Sequence, residues 1–201
     1  MMKDEIVDLA LARFLKCGIK NMTIKKLVEP LGISTKTVYK YFGSKEELLE
    51  ECLELLYNGY NHEFNAILSR KDDPVSTLLI LFRATLGKDF GVTHLFFHDL
   101  NFYYPEVQNA VIDRNLSTYA QLMIPLIERG KEEGYYNKYI IPEMALKGIG
   151  LLYTSITRSE DYKTFPGSPY DLFKNLVEVF IRGMCTEKGL QLIDNNPYHN
   201  D

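Results

Sequence analysis

Apolar residues return at every third and fourth position along nearly the whole of this chain, and glycine and proline punctuate the pattern. That period belongs to helices with one buried stripe; no convincing alternation of two marks a strand, so the sequence predicts an all-α fold. A first helix is expected from about Lys3 to Lys16, with Ile6, Leu9, Ala10, Phe14 and Cys17 on one stripe and Gly18 suited to the left-handed residue after its end. Thr23 is placed to cap a second helix whose inward positions are Ile24, Leu27, Val28 and Leu31 and which ends at Gly32. Ser34 caps a short third, Thr35 to Phe42, with Val38 and Phe42 facing inward. Pro30, late in the second helix, removes an amide donor and crowds the carbonyl of Lys26, so that helix is expected to bend or stop early.

Ser44-Lys45-Glu46-Glu47 has the spacing of a capping box and opens a long fourth helix with the stripe Leu48, Leu49, Cys52, Leu55, Leu56 and Tyr60. Asp73-Pro74 starts another, carrying Val75, Leu78, Leu79, Phe82, Leu86 and Phe90. Further helices are expected at Val92 to Leu100, Pro105 to Glu133 with a bend near Pro125, Pro142 to Ser159, and Ser168 to Lys188 with Gly189 after the end.

A chain of 201 residues is long enough to bury a core without staples, as one domain or as a small one fused to a larger. Three cysteines, an odd number with no short spacing, argue against a disulfide framework or a metal knuckle and fit a reducing compartment. The first residues are charged and the longest apolar run is Leu78 to Phe82, so a cytoplasmic protein without a membrane partner is expected. The formal net charge of −4 speaks against a nucleic-acid partner only if it is evenly spread. From Lys20 to Lys45 six lysines face one acid, Glu29, so this window carries +5 and the remainder −9. A local basic patch on an acidic molecule is an electrostatic footprint for phosphate, although such runs are often only a solvated face.

Three short helices and a long one, with Gly32-Ile33-Ser34 as the tight turn between the second and third, form a helix-turn-helix unit. Its third helix suits a major groove about 12 Å wide and offers Thr35, Lys36, Thr37, Lys40 and Tyr41. The stretch Ile6 to Leu49 resembles the N-terminal DNA-binding domain of the TetR family of transcriptional regulators. The residues that carry the likeness are Thr23-Ile24, Leu31-Gly32-Ile33-Ser34 and Val38-Tyr39-Lys40-Tyr41-Phe42-Gly43-Ser44-Lys45-Glu46-Glu47-Leu48. The resemblance implies a DNA-binding domain over residues 1–46 and a helical effector-binding and dimerisation domain over 47–201. It also implies double-stranded DNA, a small-molecule effector and a second copy of the chain as partners. By the same resemblance Tyr39 and Lys45 contact phosphate, Thr23 meets the DNA backbone, and Thr35, Lys36, Thr37 and Tyr41 face bases or flanking phosphates. Lys40 adds a sequence-independent attraction, and a tyrosine beside Val38 has the competing role of sealing the small core.

Dimerisation is expected from the last two long helices, where Ile149, Leu152, Tyr153 and Ile156 form one stripe and Leu176, Val179, Phe180 and Met184 another. Both stripes are equally compatible with internal core. An effector pocket for an apolar or aromatic compound is expected among Phe82, Phe90, Phe96, Phe97, His98, Tyr103, Tyr119 and Met123, against ordinary core packing as the plain alternative. His94, His98 and Asp99 have helical spacing for a metal but are an incomplete set, so neither metal nor cofactor is assigned. A phosphate loop, a HExxH, paired Glu-x-x-His and a G-x-S-x-G elbow are absent from the sequence, which makes a helical enzyme the remoter class. The nearer rival is a helix-turn-helix protein controlled by a protein partner, or unregulated, with solid core in place of a pocket.

Overall fold

Residues 2–159, 162 and 164–195 are described by a computed structural model, and His199, like both ends of the chain, lies outside them. Among the described residues the secondary structure is helical apart from one isolated antiparallel bridge, Tyr136 to Cys185. The first helix, α1 (Met2–Cys17), buries Ile6, Val7, Ala10 and Phe14. Cys17, expected inward, is exposed, and Val7 takes a place in the stripe. Gly18 follows with φ +78° and donates its N–H to the Phe14 carbonyl at 2.9 Å, the left-handed helix end that glycine permits.

Thr23 caps α2 (Ile24–Val28), its Oγ1 accepting from the Lys26 N–H. Pro30 stops the α-helix at Val28; a 3-10 turn, Glu29–Leu31, carries the chain to Gly32 at φ +64°. The Lys26 carbonyl, which an N–H at position 30 would have taken, accepts from the Arg13 guanidinium instead. Next comes α3 (Thr35–Val38), shorter than expected. Lys40 and Tyr41 donate to carbonyls three residues back, so the turn tightens after Val38, yet Phe42 still reaches the core.

The long α4 (Lys45–Leu68) begins at Ser44, whose Oγ accepts from the Glu47 N–H at 3.1 Å. The Glu47 carboxylate takes the Gly43 N–H at 2.6 Å, one residue ahead of the reciprocal bond expected. Leu48, Leu49, Cys52 and Leu53 are buried, whereas Leu55, expected in the stripe, is exposed. Beyond it come α5 (Pro74–Phe90), capped by Asp73 on the Ser76 N–H, α6 (His94–Tyr103) and α7 (Pro105–Glu132) with Pro125 inside it. α8 (Pro142–Arg158) follows.

The expected helix from Ser168 to Lys188 is interrupted. It consists of α9 (Pro169–Leu172), a π-helical segment (Phe173–Glu178) and α10 (Val179–Met184), and then Cys185 turns extended. The break at Cys185 has a tertiary cause. Thr186 donates its N–H to the Tyr135 carbonyl at 2.9 Å and its Oγ1 caps α11 (Glu187–Asp194) on the Gly189 N–H, so the chain restarts as a new helix. Gly189 therefore lies inside a helix, not after one.

The chain divides into two compact units. The first holds the chain to Asn61 together with Val92–Leu116, and its core joins Phe14, Ile19, Leu27, Val38 and Phe42 to Leu48, Leu49, Leu53, Phe96 and Leu100. The expected reading head, residues 1–46, is thus one part of this unit. The second holds His62–Gly91 and the chain from Ser117 onward.

Candidate nucleic-acid interface

Val38 and Phe42 plug the reading head from inside, Ile33 packs against the same core, and Lys36, Tyr39, Lys40 and Tyr41 are left exposed. Ser34 Oγ accepts from the Thr37 N–H at 3.2 Å and lies 3.0 Å from the Thr37 hydroxyl, which fixes the start of α3. Lys36 and Lys40 are exposed, Thr35 and Thr37 half-buried. Tyr39 is 53 % exposed and Tyr41 42 %, so neither ring belongs to the core. Thr23, Lys25 and Lys26 are exposed at the start of α2, and together these side chains present a polar, positively charged surface around a one-turn helix. Such a surface can offer donors to base edges and cations to phosphate.

Lys45 is placed differently from the other lysines. Its half-buried ammonium donates to the Ile19 carbonyl at 2.6 Å and lies 5.9 and 5.6 Å from the ring centroids of Phe14 and Tyr104. Burial lowers its pKa below the usual lysine range, against the opposing pull of Glu46 and Asp99. One of its three donors is committed inside the unit.

Asp99 is the residue of this unit whose role the sequence did not reveal. Its Oδ2 accepts the backbone N–H groups of both Ile19 and Lys20, each at 2.7 Å. In the His-x-x-x-His-Asp segment, an incomplete metal set by sequence, His98 is exposed and stacks on Phe102 with centroids 5.9 Å apart. Among the described residues no three His, Cys, Asp or Glu side chains are grouped to hold a metal ion.

The aromatic set expected around an effector is divided. Phe96 is core of the first unit; Phe97 packs against that core, and His98 and Tyr103 lie on the same α6. Phe82, Phe90, Tyr119 and Met123 belong to the second. There Tyr119 packs on Phe64 at 5.4 Å and Phe82 at 6.4 Å, Phe82 meets Tyr153 at 5.9 Å, and the Tyr153 hydroxyl donates to Asp89 at 2.5 Å. Burial pushes the Tyr119 phenol well above its ordinary pKa. Of the residues expected at a dimer interface, Ile149, Ile156 and Met184 are buried within the unit and Tyr153 faces Phe82. Leu152, Leu176 and Phe180 are half-buried, and Val179 is 57 % exposed. Met144 and Leu151, which the stripes left out, are 68 % and 67 % exposed on α8. An apolar groove of about 350 Å³ is lined by Tyr139, Ile141, Met144, Gly148 and Phe180 among others. No described helix is long and apolar enough to cross a membrane.

Residues 6–52 match the family described as bacterial regulatory proteins, tetR family. The chain is 25 % identical over 142 residues to the HTH-type transcriptional repressor KstR2 of Mycobacterium tuberculosis, covering 67 % of this chain and 68 % of that protein. It is 24 % identical over 190 residues to the nucleoid occlusion factor SlmA of Vibrio atlanticus, covering 90 % and 95 %. A transcriptional regulator from Saccharomonospora viridis, solved in complex with choline, shares the fold with a TM-score of 0.80 at 17 % identity, over 92 % of this chain and 98 % of that one. KstR2 and the S. viridis protein are named as transcriptional regulators. With the helix-turn-helix head, the all-helical fold and the regulator relatives in agreement, residues 6–52 are a DNA-binding domain of the tetR family of bacterial regulatory proteins, and the chain that carries it is a DNA-binding regulator.

Proposed function

We propose that the protein is a dimeric transcriptional repressor that leaves a pseudo-palindromic operator when a small apolar or aromatic compound binds its second unit. The outward apolar face of α8 and α10 carries the dimeric part of this reading. Met144, Leu151 and Val179 are mostly exposed on these helices, with Leu152 and Phe180 half-buried there and Leu176 half-buried in the π-helical segment before α10, and large exposed apolar side chains gathered on two neighbouring helices support an association site. Gly148 serves the face from within: a Cβ at that position would lie 2.8 Å from the Phe180 ring, so glycine lets α8 and α10 of one chain pack closely. A two-fold pair of such chains presents two α3 helices to half-sites about 34–36 Å apart.

For the effector, the cluster of Phe82, Tyr119, Phe64 and Tyr153, with Phe90 and Met123 in the same unit, supplies aromatic and apolar surface. The choline complex of the S. viridis regulator supports a small organic ligand for this fold. Release requires that the compound bind one arrangement of α4 better than the other, because equal affinity for both shifts nothing. Selection of bound duplexes from random DNA tests the reading directly: an inverted repeat should be enriched at moderate salt, and its absence would sink the proposal. Operator affinity unchanged across a compound library would remove the effector and favour control by a protein partner.

The reading assigns DNA contact to Thr23, Thr35, Lys36, Thr37, Tyr39, Lys40, Tyr41 and Lys45. Lys45→Ala is expected to weaken binding to every sequence and to lower the salt slope by about one. An unchanged slope accompanied by a lower melting temperature would reassign Lys45 to holding Ile19 alone.

A further inference from the structure

We propose that Asp99 is a positioning residue for DNA reading, acting through the connection between α1 and α2. The connection is short and carries Lys20 just ahead of Thr23, the cap of α2. α6 and its cap residue, some eighty residues later in the chain, hold the end of α1 and the connection that follows it. The Thr93 N–H donates to the Leu15 carbonyl at 2.9 Å, Asp99 takes the Ile19 and Lys20 N–H groups at 2.7 Å each, and the Lys20 ammonium donates to the Tyr103 hydroxyl at 2.5 Å. Lys45 grips the Ile19 carbonyl from α4.

Of these, Asp99 is the buried one, 7 % exposed, and two charge-assisted bonds from consecutive amides fix direction as well as distance. The sequence makes room for it. Gly18 at φ +78° leaves the approach open, since a Cβ there would stand 3.0 Å from both Asp99 Oδ2 and Leu95 Cβ. Ile19 is wholly buried, so its N–H has water as no ready substitute if the carboxylate is removed. Because α2 and α3 are joined by one tight turn, the point at which α2 starts sets how α3 meets the bases. Lys25, Lys26, Lys36 and Lys40 stay exposed on the head wherever α2 starts, so the long-range attraction for phosphate persists. Loss of Asp99 therefore costs base reading and spares the sequence-independent attraction.

The inference rests on the proposal that the head reads a specific sequence, and its test uses the duplex enriched from random DNA beside an unrelated duplex of equal length. Asp99→Ala, compared at a temperature where circular dichroism shows it folded, should bind the enriched duplex about tenfold to a hundredfold more weakly, a loss of the size of one good base contact. Its affinity for the unrelated duplex and its salt slope should match the parent, and Asp99→Asn, which keeps an acceptor oxygen, should restore most of the difference. A parallel fall on both duplexes, or no fall on either, overturns the inference. If Asp99→Ala does not fold, amide hydrogen exchange on the parent protein decides, because rapid exchange at Ile19 and Lys20 also overturns it. A parent that enriches no sequence defeats the operator reading itself, and this inference with it.

Discussion

Gly189→Ala is expected to lower the melting temperature by about 10 °C, corresponding to roughly 3 kcal/mol for a chain of this size. A Cβ at position 189 would lie 2.3 Å from the Tyr135 carbonyl oxygen and 3.1 Å from Cys185 Cβ. The nearest obstacle is backbone, and that backbone is held. The same oxygen accepts from the Thr186 N–H, and the Asn137 amide donates to the carbonyls of Met184 and Cys185 at 3.1 and 2.8 Å. Relief of the clash requires moving α11 off the segment around Tyr135, which breaks the bonds that end α10 at Met184. Gly130→Ala tests the neighbouring contact, where the added carbon would stand 2.3 Å from the ring of Tyr136, a side chain that is fully buried and donates to the Pro74 carbonyl at 3.2 Å. Gly59→Ala is the control: it sits inside α4 with nothing within 4 Å, and alanine there should raise stability by about 0.5–1 kcal/mol. Thermal melts of the three variants check the set, and equal melting temperatures for Gly189→Ala and Gly59→Ala would refute the close-packing account.

Much of the first unit could be read from the sequence because its signals are local. Thr23, Ser34 and the Ser44 cap act within three residues of their own position, and Gly18 and Gly32 need only the left-handed φ that ends a helix. The errors come from contacts made at long range. Arg13 on the Lys26 carbonyl, Asp99 on the Ile19 and Lys20 amides and Thr186 on the Tyr135 segment have no period or spacing to announce them. The same limit explains the stripes on α8 and α10. Helical periodicity identifies an apolar arc on each of these helices but not which half faces its own unit: Ile149, Ile156 and Met184 are buried within the unit, whereas Val179 is exposed. Among the aromatics, sequence order placed Phe96 beside Phe82 as one set, whereas folding puts the two in different units.

Separating the two halves of those stripes leads to the largest expected effect on function. Val179→Glu should convert the proposed dimer to monomer at micromolar concentration and reduce affinity for the enriched duplex by about a hundredfold or more, since the second half-site then no longer binds at the high effective concentration of a linked pair. Val179 gives up little within its own chain, being mostly exposed, so a folded monomer with a nearly parental melting curve is expected. In a two-fold contact each residue of the face occurs twice, and one substitution introduces two charges into the same apolar surface. Leu151→Glu on α8 should behave alike. Ile149→Ala should do the opposite, costing about 3 kcal/mol of stability through the cavity it leaves while the folded fraction keeps the mass of a dimer. Sedimentation equilibrium and binding to the enriched duplex separate these outcomes. If Val179→Glu and Leu151→Glu remain dimeric with full affinity, the paired surface lies elsewhere, and the exposed apolar face of α8 and α10 loses its assigned role.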